Sequence, residues 1–149
     1  MITRVDEVFL YALRLLRQRD YTISALRQKL QAKFEIVPEG ILDQLVQKNF
    51  LNDRRFAENY VGKRKDRGPA MLRAELVDRG VPESLAAAVL SRTEWPSLRQ
   101  ALAAKMKIWK LRSPLQSRDA ARLFRALARL GYDEDAIREE IETQTNEQQ

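Results

Sequence analysis

Four arginines stand at the most suggestive spacing in this sequence: Arg118, Arg122, Arg125 and Arg129. On a helix, at about 100° per residue, they fall within an arc of about 60°. Guanidinium groups are permanent cations whose forked N–H donors match phosphate and carboxylate oxygens, so the chemistry on offer is anion binding. Leu123, Phe124, Leu127 and Ala120 take the other side of the same wheel. Like charges four residues apart destabilise a helix by a few tenths of a kcal/mol per pair, and no acid of this helix shares the arginine face. One reading is a solvated side whose repulsion is relieved by an acidic last helix. The other is a ladder for phosphates or for an acidic protein groove. Four arginines in register without local partners favour the ladder.

Further cations extend the pattern. In the preceding helix Arg99, Lys107 and Lys110 lie off the apolar side, whereas Lys105 sits within it as a snorkelling core-edge residue. Upstream, the stretch LNDRRFAENYVGKRKDRGPAMLRAEL (51–76) offers Arg54, Arg55, Lys63 and Lys65 as contact candidates. Arg64 continues the Phe56–Tyr60–Val61 stripe, so it is expected to be structural, with its stem packed and its charge paired with an acid such as Glu75. The aromatics Trp95, Trp109, Phe9, Phe50, Phe124 and Tyr132 read as core packing, and Asp53 and Glu58 as capping and solvation.

The chain has no histidine and no cysteine. That removes the usual general base, the soft nucleophile, disulfides and most transition-metal sites. No phosphate-cradling glycine loop and no nucleophile–base pair is visible. The expectation is therefore a protein without catalytic residues, metal or cofactor. Its formal net charge is +6, which conceals a strong asymmetry. From Arg99 to Arg129 nine Lys or Arg face one acid, and from Asp133 to Glu147 seven acids face one arginine. The opening residues MITRVDEVF lack the charge layout of a signal peptide. No apolar run approaches the roughly 18 residues of a membrane span, so no membrane contact and a cytoplasmic location are expected.

The elements that must position these cations are all helical. Val5, Val8, Phe9, Ala12, Leu13 and Leu16 mark a first helix, and Thr22 or Ser24 caps a second. Pro38 is expected to start a third. Asn52 is an N-cap with Asp53 in the first turn. That fourth helix should run through Lys63–Arg67 to a C′ glycine, Gly68, with Pro69 at N1 of a fifth whose apolar side is Met71, Leu72 and Leu76. A short sixth helix carries Leu85, Ala88 and Val89. Pro96 opens a seventh, Ser117 caps the eighth, Gly131 stops it, and Asp133 caps the last, with a frayed tail from Thr143. The segments LQAKFEIVPE (30–39), LVDRGVPE (76–83) and LARLGYDE (127–134) share one plan: a leucine, a helix stop, and a turn into a capped helix. The fold class expected is all-α, an elongated tandem array of three three-helix repeats covering 1–50, 51–94 and 95–149.

The motif Leu51-Asn52-Asp53, Phe56-Ala57, Tyr60, Arg64, Gly68, then Arg73-x-Glu75-Leu76 and Arg79-Gly80-Val81, resembles the RecX regulatory proteins of bacteria. Leu26, Lys29 and Leu30 extend the likeness to the first unit, and Leu130-Gly131-Tyr132 with Ile137 to the last. It departs from the pattern at Phe34, where a glycine is expected, and by two extra residues in that first turn. The resemblance implies a tandem three-helix-repeat protein that binds the RecA recombinase filament on DNA; a monomer is expected, with single- or double-stranded DNA as a further partner. It implies modulation, usually inhibition, of RecA.

Overall fold

The computed structural model describes residues 3–145. Among the described residues the chain forms nine α-helices and one short 3-10 turn, with no strand. The helices are α1 (Arg4–Gln18), α2 (Ile23–Lys33), α3 (Ile41–Gln47), α4 (Asp53–Gly62), α5 (Pro69–Asp78), α6 (Glu83–Arg92), α7 (Leu98–Ile108), α8 (Ser117–Arg129) and α9 (Glu134–Thr145). They divide into two compact units. The first holds the chain through Lys63 together with Met71–Thr93, and the second holds Arg64–Ala70 with the chain from Glu94 onward.

In the first unit, Val8, Ala12 and Leu15 of α1 bury against Leu26 and Leu30 of α2, Ile41 and Leu45 of α3, and Leu51. The next three helices bury Ala57, Tyr60 and Val61, then Leu72 and Leu76, then Ala86, Val89 and Leu90. Fully burying a leucine or valine contributes about 1.5–3 kcal/mol, so these short helices owe their order to packing more than to propensity. In the second unit Leu102, Leu115, Leu123, Leu127, Ile137 and Ile141 form one core.

The turns show why the repeat is visible in the sequence. After α5, the Gly80 N–H donates to the Val77 carbonyl and the Val81 N–H to the Leu76 carbonyl, both at 3.0 Å. After α8, Gly131 and Tyr132 donate in the same way to Ala128 and Leu127, at 3.0 and 3.3 Å. Both glycines are left-handed, with φ of 100° and 99°, so both turns are Schellman closures. The turn after α2 differs. Phe34 stays extended at φ −116° and sets its ring edge-on to Tyr11 at 5.6 Å, while the positive φ moves to Gly40. The aromatic that replaces a turn glycine is thus used in packing.

Several expected boundaries are corrected. Pro38 does not start α3, which begins at Ile41 after a left-handed Gly40. Pro96 and Ser117 do not open or cap their helices. Ser97 and Gln100 form a capping box on α7, and Gln116 precedes α8 with Ser117 already inside it. Helix α4 stops at Gly62, a weak helix former, and residues 65–67 form a separate 3-10 turn. Gly68 is consequently not the C′ residue of α4. Its φ of 81° and ψ of 159° lie in a region essentially open only to glycine, and a Cβ there would meet Leu130 Cδ2 at 3.0 Å. Val5, Phe50 and Met71 are exposed, so they are not part of the apolar faces assigned to them. On α6 the buried face is Ala86, Val89 and Leu90, with Leu85 and Ala88 at its edge. The tail expected to fray from Thr143 is helical to Thr145, and its remaining residues, 146–149, lie outside the described residues.

Within the first unit, a polar node ties α2 to α4 and α5. Thr22 is almost fully buried. Its Oγ1 accepts from the Ala25 N–H at 3.0 Å as the N-cap of α2 and donates to the Arg79 carbonyl at 2.6 Å. Asp53 Oδ1 accepts from the Ile23 N–H at 2.9 Å, so this carboxylate serves the start of α2 as well as lying in the first turn of α4. Gly80 lies against the same node, where an added Cβ would meet Ser24 Cβ at 2.7 Å.

Two glycines in the same backbone state should therefore respond differently to alanine. Gly131→Ala meets open space and should cost about 1 kcal/mol, the left-handed penalty alone. Gly80→Ala adds the clash with Ser24 and should cost clearly more, on the order of 2–4 kcal/mol. Urea titration of the two variants gives the comparison.

Burial raises the Asp53 pKa, the Ile23 N–H lowers it, and the neighbouring Asp20 charge raises it, with a net upward result. A carboxyl with a raised folded-state pKa contributes stability at low pH that is lost as pH rises through its titration. Asp53→Asn keeps an oxygen acceptor for Ile23 and removes that titration. Wild type should therefore lose stability relative to Asp53→Asn as pH rises from below the ordinary carboxyl value of 3.8. Thermal unfolding of both proteins between pH 3 and 7 checks the sign.

Candidate functional site

Helix α8 presents the row of arginines because its opposite side is committed to the core. Leu123 and Leu127 are fully buried, and Arg118, Arg122, Arg125 and Arg129 are all exposed. The acids of α9 do not pair with them. Arg138 of α9 takes Asp135 at 2.9 Å and Glu134 at 3.9 Å, and Glu140 reaches Arg99 of α7 at 3.4 Å. Among the described residues no ion pair or hydrogen bond is made by the side chains of Arg118, Arg125 or Arg129. Relief of the like-charge repulsion by pairing with the last helix is thus not how this face is built.

Arg122 is different. Its guanidinium carbon lies 3.8 Å from the centroid of the Trp109 ring. Lys105 Nζ also stands over that indole, at 5.5 Å, which agrees with its core-edge assignment. Trp109 caps the C-terminal end of α7 and packs, partly buried, against the core of the second unit. The indole is therefore not a plain core residue. A cation over an indole face is worth about 0.5–1 kcal/mol at an exposed site. This contact escaped the helical wheel because it joins two helices. Lys105 four residues before Trp109 was its one local signal.

The other candidates separate into engaged and free. Arg99 is held by Glu140, although an exposed pair of this kind contributes little. Lys107 is exposed on α7. Lys110 lies beyond α7 in a left-handed conformation at φ 56°, closing the helix as the glycines do elsewhere, so its wheel position does not apply. Arg54 is exposed on α4, but Arg55 donates to the Asn49 carbonyl at 2.9 Å and is structural. Lys63 is exposed at the end of α4. Lys65 stands on the 3-10 turn, not on α4. It lines a cavity of about 590 Å³ in the second unit with Trp95, Tyr132 and Ile108. Arg64 precedes that turn and does not extend the α4 stripe. Arg54, Arg55 and Lys63 belong to the first unit, and Lys65, Arg99, Lys107, Lys110 and the α8 row to the second.

The motif residues around α4 and α5 act structurally. Asn52 Oδ1 accepts from the Arg55 N–H at 3.0 Å as N-cap. The Phe56 and Tyr60 rings stack at 6.0 Å, the Tyr60 hydroxyl donates to Glu75 Oε1 at 2.8 Å, and Arg79 lies over the Tyr60 ring at 4.6 Å. In the second unit the Tyr132 hydroxyl donates to the Pro96 carbonyl at 2.6 Å, and burial raises its pKa. Among the described residues no group of three or more His, Cys, Asp or Glu could hold a metal ion. No helix among them is long and apolar enough to cross a membrane.

Helix triplets with paired Schellman turns and a cationic helix face define a class, an all-α protein of three-helix repeats. Residues 52–90 match the family model for the second three-helix domain of RecX. A protein named regulatory protein RecX from Trichlorobacter lovleyi is 36% identical over 147 residues, covering 92% of this chain and 95% of that one. The protein of the same name from Halorhodospira halophila is 34% identical, covering 85% and 81%. One from Thermus thermophilus is 45% identical over 87 residues, and that match spans 57% of this chain and 61% of the relative's length. The crystal structure of RecX from Lactobacillus salivarius superimposes with a TM-score of 0.68 at 18% identity, covering 93% of this chain and 96% of that one, and so shares the fold. The chain belongs to the RecX family, a family of regulatory proteins.

Removing the free arginines should barely move stability. Arg118→Gln, Arg125→Gln and Arg129→Gln should each stay within about ±0.5 kcal/mol. Arg122→Gln loses its indole contact and should cost about 0.5–1 kcal/mol. Chemical denaturation of the four variants tests the difference.

Proposed function

We propose that this chain is a non-catalytic regulator that binds the RecA–DNA filament and modulates, mainly inhibits, the recombinase, ATPase and co-protease activities of RecA. Membership of a regulatory family supports the reading, and so does the absence of histidine and cysteine from the sequence. The observation that carries it is the α8 face, where three exposed arginines lie in register without an acid beside them. In this reading the protein works as a cytoplasmic monomer without a cofactor. Its three helix triplets, 1–50, 51–94 and 95–149, act as separate contact modules along the filament. Weak contacts on tandem modules reinforce one another through effective concentration.

The same face favours a second reading, a general DNA-binding helical protein that affects recombination only by competing for DNA. The two separate on preformed RecA filaments challenged with free single-stranded DNA in large excess. Direct docking predicts that inhibition of RecA ATPase persists, whereas competition predicts that it disappears. Replacing Arg118, Arg125 and Arg129 together by Glu, and leaving Arg122 on its indole, should weaken inhibition of strand exchange in a folded protein. If that face touches phosphates, the slope of log affinity against log salt should also fall by about 2–3, at 0.7–0.9 per phosphate contact. Full inhibition by the folded triple variant would remove the α8 face from the mechanism.

A further inference from the structure

The contact between Arg122 and Trp109 sits in the middle of the arginine row, not at its edge. Arg118 lies one turn before it on α8, and Arg125 and Arg129 follow, all exposed. Of the four, Arg122 alone is held on an aromatic ring among the described residues, at 3.8 Å from the indole centroid. The indole packs against the core, and the Arg122 guanidinium carbon lies within contact distance of its ring. Arg122 is itself exposed, so the guanidinium is open to solvent away from the ring.

Unpaired bases stack on guanidinium planes as they do on aromatic rings, and every base has a face to offer. Bases inside a duplex are already stacked on their neighbours and present only edges in the grooves. A flat cation among flanking phosphate-binding groups therefore discriminates by strandedness. From Arg118 to Arg129 the helix rises about 16 Å at 1.5 Å per residue, so the row is long enough to meet more than one phosphate. Lys105 over the same ring, with Lys107 and Lys110 nearby in sequence, adds positive charge around the indole without supplying a plane.

We propose that Arg122, seated on Trp109, is a base-stacking site for single-stranded nucleic acid, with Arg118, Arg125 and Arg129 holding the phosphates beside it. The proposal rests on the reading of α8 as a phosphate-contacting face and adds strand selectivity to it. Holding the guanidinium in place before binding reduces the ordering cost of the complex.

The test uses the full chain with Trp95→Phe, which leaves Trp109 as the only tryptophan of the two. Its fluorescence is titrated at low salt with a ten-nucleotide thymidine strand, an abasic strand of the same length, and a duplex. The thymidine strand should quench Trp109 and bind about tenfold more tightly than the abasic strand. Arg122→Lys keeps the charge but loses the plane, so it should erase that preference. Arg125→Lys exchanges one phosphate-matching fork for a point charge, so it should weaken all three ligands alike and keep the thymidine-over-abasic preference. Equal binding of thymidine and abasic strands by the parent would overturn the stacking site while the phosphate row stands. Equal loss of that preference in the two lysine variants would do the same. Failure of the parent to bind any strand would remove the phosphate-contacting face and the stacking site together. Should Arg122→Lys prove unstable in thermal unfolding, the parent's thymidine-over-abasic ratio decides alone.

Discussion

The buried hydroxyl of Thr22 is the interaction on which the order of the first unit depends. One oxygen accepts from the start of α2 and donates to the end of α5, two helix termini that each present unsatisfied backbone groups. The dipoles match this arrangement, since a positive helix start meets a negative helix end. Asp53 adds a carboxylate to the same start by reaching the Ile23 N–H. Helices of seven to fifteen residues have little stability alone. Fixing three of them through one node converts separate short helices into a unit with a common core. The absence of a side chain at Gly80 is what allows the approach.

The second unit relies on its apolar core, with the Tyr132 hydroxyl donating to the Pro96 carbonyl before α7. Its core is drawn from α7, α8, α9 and the segment carrying Leu115, and the outward side of α8 is left to charge. Arginines at that spacing repel one another, a cost the buried leucines of the same helix readily offset. What the arrangement provides is a rigid base for the cations. A row held on a packed helix keeps its spacing, whereas the same residues on a loop would not. Glu134 and Asp135 of α9 pair with Arg138, and Glu140 pairs with Arg99, not with the row.

Legibility followed the range of the interactions. Asn52, Asp133, Pro69, Gly80 and Gly131 were readable as starts and stops because each acts on its own turn of backbone. The arginine face of α8 was readable because one helix's period defines it. Boundaries that depend on competing local signals were less so. Pro38 gave way to the left-handed Gly40 and Pro96 to the capping box of Ser97, whereas α8 starts after Gln116 without a side-chain cap. The run of cations at 63–67 looked like the end of a helix, yet Gly62 stops α4 before it. The contacts of Asp53 with Ile23, Thr22 with Arg79, and Arg122 with Trp109 link residues on different helices. No wheel drawn on a single helix contains them.

The missing imidazoles have a consequence beyond the loss of a general base. Histidine is the side chain whose unperturbed pKa places its charge change between pH 5 and 8. A chain without it carries a nearly constant pattern of positive and negative faces across that interval. Protons are then a poor signal for switching its electrostatic contacts, and counterions are a strong one. Changes in small-ion concentration would therefore screen its charged faces far more than acidification or alkalisation within those limits would alter them.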